Sequence, residues 1–305
     1  MTSSLLRPRG RTRTGTTGAP GGAAAEGSTA PTRILDWRDP LVAALVRELG
    51  AGASGSADAS GSAGAAGSAG AAGSAGAADA VGSADPARQI EFLHRAHTWI
   101  SGAVRPVYSV QDERPVSEVL RRGRGSCSQR LAVLEAVARA YGVPTRVRGL
   151  LVDGSFWYPR FPRLRRIVPD QVLLAWPEFR LGSPAGASGA AASWLTVSEL
   201  LGGLRPVAAE QGGGFTNAGP ETLFEALSRT AIDWDAAPAV CPSTGPGAGP
   251  GAGAGAGAAC ELSAYVLTDL GHYASRDELF ARHGQTLCGL ARLMAEPVLG
   301  RRGAA

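Results

Sequence analysis

The sequence predicts an α+β fold in which helices come first and short strands follow. Helical periodicity covers residues 87–104 and 127–141. Three runs rich in β-branched and aromatic residues follow at 145–152, 171–179 and 194–197. A cysteine stands at the first turn of the second of these helices. Helices grouped apart from strands along a chain are typical of α+β architecture.

Composition limits how much of the chain can form a core. The chain has 305 residues, of which 43 are glycine. Residues 50–85 repeat a Gly-Ser-Ala-Gly-Ala-Ala unit without a large apolar side chain before Val81, which predicts a flexible linker. Residues 182–192 and 242–259 have a similar bias and are expected to be surface loops. The foldable part then amounts to one domain of roughly 200 residues.

Five segments complete this division of the chain. Residues 1–30 are expected to be a disordered tail, and residues 31–49 a short amphipathic helix that docks on the body. The body is predicted over 86–235. A flexible loop over 236–260 and a C-terminal helical extension over 261–305 follow.

Four further helices are predicted from periodicity and capping signals. They cover residues 115–122, 220–230, 261–270 and 276–283. The last begins at a Ser275/Glu278 capping box.

The charge pattern gives little indication of nucleic-acid binding. All 30 basic residues are arginine, which is typical of GC-rich coding, and the formal net charge is only +4. No stretch of about 18 apolar residues and no apolar leader segment occurs in the sequence. The expectation is therefore a cytoplasmic protein without a membrane or specific nucleic-acid partner.

The four cysteines show no metal-binding spacing. Cys127, Cys241, Cys260 and Cys288 form no CxxC pair and no cluster with histidine, so no metal or cofactor is predicted. Spacing alone permits a disulfide between Cys241 and Cys260, which a reducing cytoplasm disfavours. Cys288 is expected to be a small core residue.

Cys127 occupies the most informative position in the chain. Ser126 is a predicted N-cap, and Gln129 completes a capping box with it. Cys127 is then the first residue of the helix, where unpaired N–H groups and the positive end of the helix dipole favour a thiolate. This environment suits a nucleophilic cysteine.

These residues resemble the core of the transglutaminase-like proteins, in the papain-like cysteine superfamily. The resemblance rests on Trp99, the glycine turn and cysteine at 123–127, the alanine-rich helix, and the Gly-Val-Pro-Thr-Arg run at 142–146 followed by Gly149. It implies a cysteine on a central helix packed on a small antiparallel sheet. Extra C-terminal helices would be an addition of this chain.

The resemblance also implies a histidine and an acid that this chain lacks. The family's histidine run aligns with residues 174–178, which places Leu174 at the histidine position. The run with the acid aligns with residues 194–199, which places Ser198 at the acid position. Glu199 is adjacent, but on a strand it would face the opposite side.

A catalytic role for Cys127 therefore needs a base from elsewhere. The hypothesis kept open is His283, which forms a compact polar trio with Gln285 and Cys288 in the sequence. A nearby indole, that of Trp99, is a candidate oxyanion donor beside the Cys127 backbone N–H.

The other histidines have structural interpretations. His97 is expected to be a buried, hydrogen-bonded core residue and His94 to be solvated. His272 is expected to favour a helix C-terminus, and the same interpretation competes with the catalytic one for His283.

Three other segments have both functional and structural interpretations. Residues 156–163, from Phe156 to Arg163, combine aromatic and arginine side chains, which indicates a cleft lip, a protein or peptide partner surface, or a tightly packed loop. Glu178 is expected to face solvent or to pair with an arginine. Residues 215–220 are expected to form a loop and helix cap without chemistry.

Two functions follow from these observations. The first is a binding or structural module that has lost ordinary triad activity, a pseudoenzyme. The second is a thiol acyl-transfer enzyme, of the transglutaminase, amidase or cysteine-protease type, in which Cys127 works with a base supplied from elsewhere.

Overall fold

The computed structural model describes residues 25–51, 85–162, 165, 168–182, 194–202, 215, 217, 221–228 and 262–287. The helices in these ranges are α1 Pro40–Ala51, α2 Pro86–Ala103, α3 Val116–Arg122, α4 Cys127–Ala140, α5 Val197–Leu201, α6 Leu223–Ala226 and α7 Arg276–His283. The strands are β1 Arg105–Pro106, β2 Arg124–Gly125, β3 Thr145–Asp153, β4 Gln171–Arg180, β5 Trp194–Thr196 and β6 Val266–Tyr273. Two short 3-10 helices, Gly154–Trp157 and Leu262–Tyr265, complete the described elements.

Four of the strands form one antiparallel sheet in the order β5-β4-β3-β6. Strands β3 and β4 pair along their length, from Thr145 opposite Phe179 to Asp153 opposite Gln171. The expected α+β class, with helices before strands, is thus observed as a mixed helix and sheet structure. Strands β1 and β2 form a separate parallel pair that joins the end of α2 to the start of α4.

Helix α4 is buried on all sides rather than on one face. Every residue from 129 to 139 is buried, because α1, α2 and α3 contact the helix together with β3 and β4. Burial is not limited to its apolar residues, since Arg130, Glu135 and Arg139 are also buried.

Each buried charge around α4 has named partners. The Arg139 guanidinium donates to Thr145 Oγ1 at 2.7 Å and to the carbonyl oxygens of Ala30 and Ala274 at 2.8 and 2.7 Å. The Arg276 Nε donates to Glu135 Oε1 at 2.5 Å, and neither side chain of this pair is exposed. Burial raises the pKa of Glu135 even though the charges of Arg276 and Arg139 oppose that change. The five N–H groups of arginine make such multiply bonded burial feasible.

The segment before α1 differs from the expected helix over 31–49. Helix α1 begins at Pro40, and Ile34 and Leu35 are fully buried outside it. The segment is held by side chains instead: Asp277 accepts hydrogen bonds from Thr32 Oγ1 and from the Ile34 backbone N–H. Apolar residues alone therefore did not define the helix start.

The predicted helix over 261–270 is wrong, because this segment forms a strand. After the turn Leu262–Tyr265, strand β6 pairs antiparallel with β3, with Arg148 opposite His272. Two register shifts interrupt the pairing, and Gly271 has a positive φ of 84°. Backbone pairing with β3 has outweighed local helical periodicity. Helix α7, by contrast, has the predicted bounds. Within the described residues 262–287, the predicted helical extension is not helical throughout, because it contains strand β6.

Two other boundaries were also wrong. The strand predicted to end at Val197 stops at Thr196, because Thr196 caps α5 and Glu199 completes a capping box. The helix predicted over 220–230 is limited to Leu223–Ala226 in the described residues.

The Glu135–Arg276 pair is a direct test of this core. Replacing Glu135 with leucine should lower the free energy of unfolding by about 3–5 kcal/mol, since it leaves a buried guanidinium charge without its carboxylate. The double variant Glu135→Leu/Arg276→Met should recover most of this loss. Urea unfolding of both variants measures it, and a double variant no more stable than the single one would contradict the proposed coupling.

Candidate active cleft

Cys127 lies in the wall of a cleft between the start of α4 and one end of the sheet. The cleft has a volume of about 430 Å³, within the range of about 300–1,000 Å³ that accommodates small-molecule ligands. Most of its lining is apolar: Val107, Val110, Phe156, Trp157, Phe161, Val168, Pro169, Val172, Leu173, Leu174, Phe215, Leu223 and Leu287. The polar lining residues are Tyr108, Ser109, Asp112, Ser126, Cys127, Ser128, Arg160, Asn217, Thr222 and Thr286.

The capping box at the start of α4 is confirmed and fixes the position of Cys127. Ser126 Oγ accepts from the Gln129 backbone N–H at 3.3 Å, and Gln129 Oε1 accepts from the Ser126 backbone N–H at 3.0 Å. Gln129 Nε2 also donates to Ser109 Oγ and to the Gln111 carbonyl oxygen. These bonds hold the loop that carries Tyr108 against the start of the helix. Cys127 is half-buried and forms no disulfide within the described residues.

Tyr108 and Arg160 are polar residues that line the same cleft as Cys127. Burial raises the pKa of the Tyr108 hydroxyl, while the charge of Arg160 and a hydrogen bond with it oppose this, and the Cys127 charge adds to the increase. Tyr108 therefore lies close enough to both Arg160 and Cys127 to interact with each of them. We call Cys127, Tyr108 and Arg160 the polar cluster.

Asn217 holds Arg160 in this position. Its Oδ1 accepts from Arg160 Nε at 2.9 Å, and its Nδ2 donates to the Phe156 carbonyl oxygen at 3.1 Å. Asn217 is 6% exposed and has a φ of 58°, a left-handed conformation that asparagine adopts more readily than most residues. The Glu221 carbonyl oxygen also accepts from Arg160. Asn217 and Phe215 belong to the segment 215–220, for which the sequence implied no chemistry, and both line the cleft.

Leu174 lines the same cleft as Cys127. It is 7% exposed and lies on β4 opposite Leu150 of β3. Its neighbour Leu173 also lines the cleft. The cleft wall at Leu173 and Leu174 is therefore hydrocarbon. That Leu174 stands at the family's histidine position stays a prediction from the resemblance.

Ser198 and Trp99 lie outside the described cleft lining. Ser198 is fully buried in α5, where its hydroxyl is hydrogen-bonded to Thr196 Oγ1 at 3.1 Å. Trp99 is partly buried against the hydrophobic core from α2. The indole that lines the cleft belongs to Trp157. The sequence contained a signal for Trp157, because one interpretation of the aromatic segment 156–163 was a cleft lip.

The two histidines of α2 are bonded elsewhere in the core. His97 is buried, as expected, and its Nε2 lies 2.8 Å from the Phe224 carbonyl oxygen. His94, which was expected to be solvated, is half-buried with its Nε2 at 2.7 Å from the Leu200 carbonyl oxygen. Both rings therefore connect α2 to later parts of the chain.

The two C-terminal histidines are also bonded away from the cleft. His272 lies on β6, not at a helix end, and its Nε2 is 3.2 Å from Glu178 Oε1. Glu178 is buried and also accepts from Arg146 Nε at 2.6 Å, so the arginine partner expected for it is present. His283 Nε2 is 2.7 Å from the Tyr273 hydroxyl. The chain has four histidines, all in described segments, and none of them is among the described lining residues.

The segment after α7 folds back over the cleft, although it does not bring His283 there. Gln285 Oε1 accepts from the Asp112 backbone N–H at 3.2 Å, and Thr286 Oγ1 accepts from the Leu173 backbone N–H at 3.1 Å. Thr286 and Leu287 then line the cleft. The expectations for Cys241, Cys260 and Cys288 lie outside the described residues.

No cluster of metal-binding side chains occurs in the described part of the chain. Among the same residues, no helix combines the length and the apolar character that crossing a membrane requires.

Comparison with known proteins identifies one family. The family model described as the transglutaminase-like superfamily matches residues 76–198, so the chain contains a transglutaminase-like domain in that region. The match includes Cys127, Leu174 and Ser198 but ends before Phe215, Asn217, Thr222, Leu223, Thr286 and Leu287, which also line the cleft. The search of curated proteins and the search of solved structures returned no match.

Gly154 allows two walls of the cleft to meet. A Cβ atom at Gly154 would overlap the carbonyl oxygen of Pro169, whereas nothing lies within 4 Å of a Cβ atom at Gly102 on α2. Gly154→Ala should lower the free energy of unfolding by about 1–3 kcal/mol, because a backbone atom must move. Gly102→Ala should leave it unchanged or raise it by up to about 1 kcal/mol. Urea unfolding compares the two, and equal effects would contradict the close approach.

The buried His97 predicts a dependence of stability on pH. Burial and the Arg130 charge hold the pKa of His97 below its ordinary value, although the Phe224 carbonyl opposes them. The unfolded chain then binds a proton more readily, at a pKa of about 6.5. The contribution of neutral His97 to the free energy of unfolding is complete above that pKa. This contribution falls as the pH decreases through the pKa of the folded state. His97→Gln should flatten this decrease in urea unfolding between about pH 7 and pH 5, and an unchanged slope would exclude His97 as its cause.

Proposed function

We propose that the cleft beside Cys127 binds an apolar ligand and that the protein lacks the amide chemistry of a cysteine–histidine–acid triad. The observation that carries this proposal is Leu174, which lines the same cleft as Cys127, while all four histidines are hydrogen-bonded elsewhere. The domain at residues 76–198 would then be a transglutaminase-like, papain-like core used for binding. The later segments, including 262–287, would extend it.

The polar cluster does not replace the missing acid and base. Arginine remains protonated at all ordinary pH values, so Arg160 can stabilise negative charge but cannot accept a proton. Burial raises the pKa of Tyr108, which keeps its hydroxyl protonated near neutral pH. An amide nitrogen must receive a proton in order to leave, and in triad enzymes an imidazole supplies it.

The second candidate remains a thiol acyl-transfer enzyme whose base comes from elsewhere, with His283 as the sequence-based hypothesis. What favours it is the position of Cys127, which is capped, half-buried and open to a cleft that also holds Arg160 and Tyr108. The His283 ring is bonded to the Tyr273 hydroxyl, and His283 is not among the described lining residues. A base would therefore require rearrangement or a partner.

A partner at residues 156–163 also stays a prediction. Phe156 is 2% exposed, and Phe156, Trp157, Arg160 and Phe161 all line the cleft. These contacts support the cleft-lip interpretation of the segment more than a flat partner surface.

Replacing Leu174 tests the missing imidazole. Leu174→His adds a base to the cleft wall, and Leu174→Gln is a matched polar control that cannot take up a proton. If an imidazole is what the site lacks, the histidine variant should alkylate at Cys127 with iodoacetamide about tenfold or more faster than the control at pH 7, since base assistance is typically worth about 10²–10⁴ in rate. Peptide mass mapping locates the label.

A second assay tests the wild-type protein with an amide substrate, such as a glutamine-containing peptide. We expect neither amide hydrolysis nor transfer to an amine. Turnover that is lost in Cys127→Ser would contradict the proposal and establish the acyl-transfer alternative.

Ligand binding is tested with a fluorescent apolar probe. The wild type and Cys127→Ser should bind it, whereas Val172→Trp should fill the cleft and weaken binding about tenfold or more. The matched control is Leu267→Trp, because Leu267 is 48% exposed on β6 and is not a described lining residue. Equal binding by both tryptophan variants would place the probe elsewhere.

A further inference from the structure

This inference rests on the apolar binding site of the proposed function. The composition of the cleft wall further limits the class of ligand that this site can bind. We propose that the ligand is an acyl thioester with an apolar chain, and that Cys127 accepts the acyl group by thioester exchange. The cleft would hold the chain, and the polar cluster would hold the reacting carbonyl group. The protein would then carry acyl groups rather than cleave amides.

The leaving group makes this reaction feasible without an imidazole. A thiol has a pKa of about 8.5, so a thiolate leaves without first receiving a proton. An amide nitrogen cannot leave in this way, and the described lining contains no histidine that could protonate it. The loss of the histidine position at Leu174 thus removes amide substrates while leaving thioester exchange possible.

The apolar lining indicates what the acyl chain must be. Leu173, Leu174 and Val172 of β4 form one wall, and Phe156, Trp157 and Phe161 form another. Charged or strongly polar acyl groups would lose hydration there without gaining partners. A chain of several methylene groups gains affinity with each group buried.

The polar cluster lines the same cleft as the Cys127 sulfur and would receive the carbonyl oxygen there. Asn217 Oδ1 and the Glu221 carbonyl oxygen orient the Arg160 guanidinium, which is hydrogen-bonded to Tyr108. The first backbone N–H groups of α4, which begins at Cys127, add the positive end of a helix. Positive charge and N–H or O–H donors at this point stabilise the negative oxygen of a tetrahedral intermediate.

The exchange balances without an oxidant or a reductant. The Cys127 thiol gives its proton to water, and the thiolate Sγ forms a bond to the thioester carbonyl carbon. The bond from that carbon to the carrier sulfur then breaks, and its electron pair leaves with the carrier thiolate, which takes a proton from water. The products are acylated Cys127 and the free carrier thiol.

The test uses the full chain with octanoyl-N-acetylcysteamine as the thioester probe. We expect one octanoyl group on Cys127, identified by intact mass and peptide mapping, and none on Cys127→Ser. The corresponding octanoyl amide should give no adduct. The acetyl thioester should react about tenfold or more slowly than the octanoyl thioester at equal concentration, because it buries little apolar surface.

Tyr108→Phe separates the chemistry from binding. It removes one hydroxyl and keeps the ring, so the rate of acylation at saturating octanoyl thioester, where differences in affinity no longer count, should fall about tenfold or more. An unchanged acylation rate would exclude Tyr108 from the site of reaction and overturn the assigned role of the polar cluster.

The two proposals fail in different ways. No octanoyl adduct on a protein that still binds the apolar probe would overturn thioester exchange and leave the binding function standing. Neither adduct nor probe binding would overturn both. Equal acylation of Cys127 and the other three cysteines, or equal rates for acetyl and octanoyl thioesters, would show nonspecific thiol reactivity and also overturn the exchange proposal.

Discussion

Helix α4 lies at the centre of the described fold, and the burial of its charges is the constraint on which the rest depends. Glu135 holds Arg276 at the start of α7, and Arg276 also donates to Ser128 Oγ beside the cleft and to the Ala175 carbonyl oxygen of β4. Arg130 donates to Glu225 Oε1 at 2.5 Å and lies 4.3 Å from the centre of the Phe224 ring. These contacts connect α4 to the segments 221–228 and 262–287, both of which supply residues to the cleft lining. Removing a partner would leave a buried charge, so the arrangement is costly to alter.

The cleft joins residues inside and outside the region that matches the family model. The region that matches the transglutaminase-like superfamily supplies Cys127, Tyr108 and the wall around Leu174. Segments beyond residue 198 supply Asn217, which orients Arg160, and Leu287, which closes the apolar lining. Cys127 stands at the capped start of its helix, and the wall around Leu174 is hydrocarbon. Binding of an apolar group next to a thiol is the function that this combination supports best.

Local signals in the sequence predicted the first part of this arrangement well. The Ser126/Gln129 capping box placed Cys127 at the start of its helix, and β-branched runs located β3 and β4, because both signals act within a few residues. The same kind of signal at Thr196 and Glu199 was available for α5 and was missed.

Long-range contacts could not be predicted in this way. Strand β6 forms because β3 offers a backbone edge, and the burial of Arg139 depends on acceptors at Ala30 and Ala274. Asn217 likewise becomes a site residue only because the fold brings it to Arg160.

The central claim is that no imidazole reaches the Cys127 sulfur. The most direct measurement is nitrogen-15 NMR of the four histidine rings before and after alkylation of Cys127, with Cys127→Ser as the control for labelling elsewhere. All four ring resonances and their titrations should stay unchanged, because His94, His97, His272 and His283 are bonded to Leu200, Phe224, Glu178 and Tyr273 respectively. A ring whose resonance and titration move when the sulfur is alkylated, and do not move in Cys127→Ser, would contradict it.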